Sequence, residues 1–313
     1  MSIPLETRAE VGVAIVAPGG YAQDEQALAR ALERLQAQGC RVHNYYDPSR
    51  KHQRFGGTDD SRAAQLHAAA ANPDVQIVLA LRGGYGMSRI LPELDLKMLA
   101  ESGKLFVGHS DFTALQMAML AQEAAISFAG PMICDDFTRE EHSEFTMQHF
   151  WQCVTGPSHT IAFQAEDNPS LDVSGILWGG NLTMLTHLVG TPYMPKIEGG
   201  ILFLEDVNEH PYRVERMLLQ LQYAGLLNQK AVVLGDFSSY RLTPYDNGYD
   251  FAAMLDYLRM RLDAPILTGL PFGHTRDKAT LVVGAQATLK SDGKSAALVM
   301  NGYPSLSAST RLR

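Results

Sequence analysis

The chain has 313 residues, 46% hydrophobic and 19% charged, with 26 Lys plus Arg against 34 Asp plus Glu and a formal charge of −8. That balance is globular and long enough for two ordinary domains; it excludes a disordered chain, and the lack of any long basic run excludes a nucleic-acid partner. The three cysteines, Cys40, Cys134 and Cys153, are odd in number and widely spaced, which fits reduced thiols and a cytoplasmic setting rather than a disulfide framework.

No apolar window approaches the length of a membrane-spanning helix, so no membrane partner is expected. The run VGVAIVA from Val11 is short, follows Glu6 and Glu10 and lacks a small-residue cleavage site, so it reads as a first strand rather than a leader. From there to about Gly130, apolar runs alternate with helical periodicity. Leu28, Ala31, Leu32 and Leu35 mark one face of a helix closed by Gly39, RVHNYY from Arg41 is a second strand, and Thr58 or Asp59 caps a helix from Asp60 to Ala71. VQIVLAL from Val75 is apolar almost throughout, as parallel strands covered on both faces are, and LFVGH from Leu105 and ISFAG from Ile126 supply two more. Strands separated by helices predict right-handed crossovers and a doubly wound α/β sheet whose ligands gather at the carboxyl ends of its strands. Two special loops, RGGYG from Arg82 and GHSD from Gly108, fall at such ends.

Between Cys134 and Ser174 the periodicity fades into polar, turn-rich sequence that reads as an excursion or linker, with a boundary near 165 between domains 1–165 and 166–313. ILWGGNLTMLTHLVGTPY opens the second unit; ILFLEDV from Ile201 is a buried strand, PYRVERMLLQL an amphipathic helix entered at Pro211, and KAVVLGDF another strand. A helix from Asp250 to Leu262 and a terminal β hairpin turning at Ser291 to Gly293 complete the pattern.

LFVGHSDFTALQMAML, Leu105 to Leu120, reads strand, sharp turn, helix, with Ser110 at the turn. A serine there projects its hydroxyl beyond the sheet edge, and the Asp111 N–H lies at a helix start without an internal partner, so nucleophile and oxyanion donor come together. The residue two after the serine is Phe112 where the hydrolase elbow has glycine; a serine capping an ordinary helix is the competing reading. In RGGYG a third glycine is missing, since Arg89 stands three after Gly86, so the dinucleotide fingerprint fails and no cofactor is expected. Gly84 could donate its N–H to the same oxyanion as Asp111; the alternative is a tight turn.

A serine nucleophile needs a histidine base oriented by a carboxylate. His109, ending a strand, should point to the opposite face from Ser110; His43 and His67 read as surface or half-buried, His142, His149 and His159 lie in the excursion, and His187 sits on an apolar helix face as core. His210, before Pro211, and His274, in the loop PFGHTRDK, remain as partners. Glu205 and Asp206 end a buried strand, where a charge is costly unless paired. Glu205 is preferred because its place mirrors the serine loop, with a helix-capping acid as the alternative. No metal is expected, for there is no H-E-x-x-H, no paired cysteines and no ligand-spaced Asp/His cluster.

Taken together, VAPGGY, FGGTDDSRAAQLHAA, LRGGYGMSRILPELD, VGHSDFTALQ, FAGPM, LWGGNLTMLTHLVGTP, ILFLEDVNEHPYRVERMLLQL and the final GH before a strand resemble the serine LD-carboxypeptidases, the murein tetrapeptide carboxypeptidases whose relatives include the microcin C immunity peptidase. The resemblance implies a Rossmann-like amino-terminal domain, a smaller α/β carboxyl-terminal domain, an active site at their interface and a homodimer. It implies a Ser110–His274–Glu205 triad, an oxyanion hole from the N–H groups of Asp111 and Gly84, no metal or cofactor, and a murein tetrapeptide as substrate in cytoplasmic peptidoglycan recycling. Many members carry Tyr or Phe where this chain has His109. Arg82, Arg89 and Arg276 are candidates for substrate carboxylates. The rival readings are a self-immunity peptidase acting on a peptidyl nucleotide and a muropeptide-binding protein without hydrolysis.

Overall fold

The computed structural model describes residues 10–164 and 167–306. The first half runs β1 (Val11–Val16), α1 (Glu25–Ala37), β2 (Cys40–Asn44), α2 (Asp59–Ala71), β3 (Ile77–Ala80), α3 (Met87–Ile90), α4 (Leu96–Glu101), β4 (Leu105–Gly108), α5 (Thr113–Glu123) and β5 (Ser127–Ala129). There follow α6 (Glu144–Thr155), β6 (Ser158–Gln164), β7 (Leu171–Asn181), α7 (Leu182–Leu188), β8 (Ile201–Val207), α8 (Pro211–Tyr223), β9 (Ala231–Ser238) and α9 (Phe251–Arg261). Four short strands close the chain: β10 (Ile266–Leu267), β11 (Leu281–Val283), β12 (Gln286–Ser291) and β13 (Ser295–Asn301).

Among the described residues these strands form a six-stranded sheet, ordered β11-β5-β4-β3-β1-β2, and a seven-stranded sheet, ordered β10-β9-β8-β7-β12-β13-β6. β1 to β5 pair in parallel, and only β11 runs against its neighbour. The apolar runs explain this: Leu105, Phe106 and Val107 of β4 are each at most 3% exposed, and burying such a side chain is worth about 1.5–3 kcal/mol. The helix starts follow their caps, with Asp24 accepting from Ala27 N–H at 2.8 Å and Thr58 from Ser61 N–H at 3.3 Å.

Two elements occupy the stretch read as an excursion. α6 buries Met147, Phe150, Cys153 and Val154, and β6 alternates exposed and buried residues against β13. The second sheet therefore begins at Ser158, ahead of the expected boundary near 165. β11, far beyond that boundary, returns to the first sheet, pairing Leu281 with Ala129 and Val283 with Ser127. Sheet membership thus follows no single cut in the sequence. No helix among the described residues is long and apolar enough to cross a membrane.

Candidate active site

β4 stops at Gly108, where a Cβ would lie 2.8 Å from the Phe112 ring. His109 is still extended, with φ −144°, but Ser110 turns to φ +60° and begins a single 3-10 turn, Ser110–Phe112, that runs straight into α5. A serine in the left-handed region is strained, and the strain lifts its side chain off the sheet edge. The Asp111 N–H, at the second position of that turn, has no intrahelical partner.

Glu205 comes from β8, fully buried. Opposite it the β8–β9 register slips: Leu204 pairs with Leu234 but Asp206 with Phe237, so two β9 residues face one on β8. The bulged Asp236 donates its N–H to the Phe272 carbonyl at 2.8 Å, drawing the last loop over the strand ends. There Gly273, at φ +141°, passes so close that a Cβ would lie 2.9 Å from Asp236 Cβ and 3.3 Å from Glu205 Cβ. The next residue is His274.

The three side chains meet. His274 Nδ1 donates to Glu205 Oε2 at 2.7 Å, and Nε2 lies 3.0 Å from Ser110 Oγ, where it accepts from the hydroxyl. Asn181, at the end of β7, donates from Nδ2 to Glu205 Oε1 at 3.2 Å and to Asp206 Oδ1 at 3.0 Å. Asp206 in turn accepts from the N–H and hydroxyl of Thr183, both at 2.8 Å. Besides His274, the buried carboxylates are thus held by neutral donors at the start of α7, its cap Asn181 and Thr183. Burial alone would lower the His274 pKa and Lys278 pulls the same way, but the hydrogen bond and charge of Glu205, with Asp206 behind it, prevail and raise it. An imidazole so placed can take a proton from a hydroxyl and keep the resulting charge beside a carboxylate.

The RGGYG loop closes the other side. A Cβ on Gly83 would lie 2.9 Å from both Cβ and Oγ of Ser110 and 3.2 Å from the Asp111 nitrogen. The Gly83 carbonyl accepts from Gly20 N–H at 2.9 Å, so across that planar trans peptide the Gly84 N–H points away from Gly20. The Asp111 carboxylate fixes the loop, accepting from Met87 N–H at 2.9 Å. Burial pushes its pKa up to about 6, against the N–H groups of Met87 and Gly86 and the charges of Arg62 and Arg54.

Several sequence readings need correction. His109 does not turn to the far face; its ring packs edge-on to His274 at 5.3 Å between centroids, while Nδ1 donates to the Gly130 carbonyl at 2.9 Å. Burial, with the charges of Lys278 and His274, holds it well below the ordinary histidine pKa, so it stays neutral. His187 is exposed rather than core. His210 accepts from Tyr212 N–H at the start of α8 and lies 3.0 Å from Asp246, apart from the relay. Arg89 is occupied, bonding Asp59 through Nε and Nη2 at 3.0 and 2.7 Å. Arg276 is exposed and lines a separate surface cleft with Arg34, Glu140 and Glu141.

Three features were missed from sequence: Asn181, Gly83, and a buried ion pair between Lys278 and Asp136, which are 1% and 2% exposed. The GGN preceding α7 was a usable cap signal for Asn181; nothing local announced the other two. The ion pair, with Thr146 Oγ1 accepting from Lys278 N–H at 2.9 Å and donating to the Arg276 carbonyl at 3.0 Å, pins the His274 loop to the segment after β5. Among the described residues no group of three or more His, Cys, Asp or Glu side chains is placed to hold a metal ion.

Comparison with known proteins places the chain in a family. Residues 13–130 match the model of the LD-carboxypeptidase N-terminal domain, and residues 174–289 that of its C-terminal domain. The crystal structure of muramoyltetrapeptide carboxypeptidase from Oxalobacter formigenes is 56% identical and superposes with a TM-score of 0.91, covering 94% of this chain and all of that one. A probable murein peptide carboxypeptidase of Bacillus subtilis is 29% identical over 290 residues, 91% of each chain. The microcin C7 self-immunity protein MccF shares the fold, with a TM-score of 0.85 at 23% identity over 95% of this chain and 98% of its own. From the matched halves and the relatives spanning both, the chain belongs to the LD-carboxypeptidase family.

Proposed function

We propose that this enzyme releases the terminal D-alanine of murein tetrapeptides by cutting the amide to the L-centre of meso-diaminopimelate, with Ser110 as nucleophile. The observation that carries the reading is the continuous line Ser110–His274–Glu205, at 3.0 and 2.7 Å, with the serine on a strained turn. His274 takes the hydroxyl proton as Ser110 Oγ bonds to the carbonyl carbon, and returns it to the departing nitrogen. D-Alanine leaves; water, deprotonated by His274, then cleaves the ester and frees the tripeptide. Glu205 holds the tautomer and offsets the imidazolium charge. The oxyanion is received by the N–H groups of Asp111 and Gly84, across the space that Gly83 leaves open. Peptidoglycan recycling and a homodimer are the setting that the family resemblance implies, and the reduced cysteines suit a cytoplasmic one.

The tetrapeptide is favoured over a peptidyl nucleotide because the 56% identical protein is named for muramoyltetrapeptide, whereas the immunity protein stands at 23%. The aligned relay favours hydrolysis over binding alone.

The reading is tested by incubating the purified protein with tetrapeptide and following D-alanine release across pH. His274 must be neutral to act, and its raised pKa places the acid limb of kcat/KM above about 6.5, the ordinary histidine value. Glu205→Gln removes the group that raises it, so the limb should move to lower pH and kcat should fall about 10³–10⁴-fold. No D-alanine from the unmodified protein, or an acid limb unmoved by the substitution, would sink the reading. The oxyanion space is probed by Gly83→Ala. Gly83 has no positive φ, so the backbone accepts a side chain, but the methyl intrudes on Ser110 and Asp111 N–H. A fall in kcat of about 10²–10³-fold is expected in a variant whose melting curve shows it folded; normal turnover would place the oxyanion elsewhere.

A further inference from the structure

We propose that Arg82 and Arg54 form the subsite for the free α-carboxylate of the substrate's last residue, which makes the enzyme a carboxypeptidase rather than an endopeptidase. The inference rests on the tetrapeptide reading and adds a recognition element to it. Bond lengths fix where such a group must lie. The carboxylate is two bonds from the amide nitrogen of the leaving residue, so it sits within about 4 Å of the carbon that Ser110 attacks. Its counter-charge must therefore border the nucleophile, and the loop that does so is Arg82–Gly86.

Arg82 is the first residue of that loop after β3. Its side chain lies between two glycines: a Cβ on Gly20 would stand 3.3 Å from its Cδ and 3.4 Å from its Nε, and one on Gly84 would stand 3.7 Å from its Nη2. The guanidinium is held loosely. Nη1 reaches only the Tyr21 carbonyl, at 3.4 Å, and the buried Nε has no acceptor. Arg54 reaches the same glycine, its Nη2 donating to the Gly84 carbonyl at 2.8 Å, and it is solvent-exposed. Two cations thus converge on Gly84, one residue from the glycine that abuts Ser110.

The other buried or neighbouring cations are already matched. Arg62 and Arg89 share Asp59, at 2.5 and 2.7 Å, and Lys278 is paired with Asp136. Neither Arg82 nor Arg54 has a carboxylate within 4.0 Å among the described residues. Asp111, whose carboxylate abuts the loop, is bonded to Met87 N–H. Two planar forks, neither paired with a carboxylate among the described residues, suit a carboxylate brought in by the substrate. A peptide ending in an amide, or continuing past the scissile bond, would leave them unmatched, and that difference discriminates between ends.

The test measures binding without turnover. In Ser110→Ala protein, calorimetry compares a tetrapeptide ending in D-alanine with the same peptide ending in D-alaninamide. The acid should bind at least about tenfold more tightly, as expected when a charge-assisted contact is lost from the amide. Adding Arg82→Gln, and then Arg54→Gln, should weaken the acid and leave the amide unchanged, bringing the two affinities together; Arg82→Lys should restore part of the preference. A merely structural role would weaken both peptides equally. An unaltered acid-to-amide ratio in the double variant, no preference at the outset, or a preference abolished instead by Arg276→Gln, overturns the proposal. D-Alanine release by the unmodified enzyme is followed in parallel. Absent release with an arginine-dependent ratio would sink the reaction and keep the subsite; release with an arginine-independent ratio would do the reverse.

Discussion

Ser110→Ala should reduce D-alanine release by about 10⁴-fold or more while leaving the fold intact. The magnitude follows from how relay residues act: once the nucleophile is gone, imidazole and carboxylate have nothing to activate, and only binding and oxyanion stabilisation remain. The fold should survive because alanine keeps the Cβ and loses only the hydroxyl, whose sole hydrogen-bond partner among the described residues is His274 Nε2. The backbone at φ +60° stays strained with either residue. Two measurements check this, steady-state D-alanine release and the melting temperature. Retained turnover in a correctly folded variant would remove Ser110 from the mechanism.

Lys278→Met should destabilise the protein by about 3–5 kcal/mol, the usual cost of leaving one member of a buried ion pair alone. Asp136 would stay at 2% exposure with, among the described residues, only the Met132 N–H at 2.9 Å to satisfy it. Burial already raises its pKa even with Lys278 beside it. Denaturant unfolding of the single variant and of Lys278→Met/Asp136→Asn separates charge from packing: the double variant should recover much of the loss, because no uncompensated charge remains. A second signature follows from sign. Lys278 pulls the His274 pKa down, so its removal should move the acid limb of activity to higher pH, opposite to the shift expected for Glu205→Gln. A single variant as stable as the parent would show that the pair does not hold the two parts of the site together.

How much of this could be read from residues alone depends on how far each interaction reaches. The apolar runs of β1, β3 and β4 and the cap at Thr58 are local signals, and those elements form close to where they are expected. α6 escaped because its buried Met147, Phe150, Cys153 and Val154 are diluted by exposed or half-buried His149, Trp151 and Gln152. β6 escaped because the alternation of SHTIAFQ was overshadowed by Gly156 and Pro157 before it. The reading of His109 assumed that strand parity persists, but β4 ends one residue earlier and the chain turns at Ser110, so the face rule no longer applies. Gly83 was passed over for Gly84 because which glycine touches the serine is a matter of how two loops approach. The Lys278–Asp136 pair spans 142 positions, and neither residue has a neighbour that hints at the other.

The return of β11 to the first sheet has a consequence for biosynthesis. As the polypeptide leaves the ribosome, β1 to β5 can assemble early, but the outer edge of β5 stays bare until residues 281–283 arrive, some 150 positions later. The same late segment carries His274 and Lys278. The nascent chain therefore holds Ser110 without the proposed base until residue 274 has emerged, and the arrival of the segment that covers the bare edge of β5 also brings His274 to Ser110.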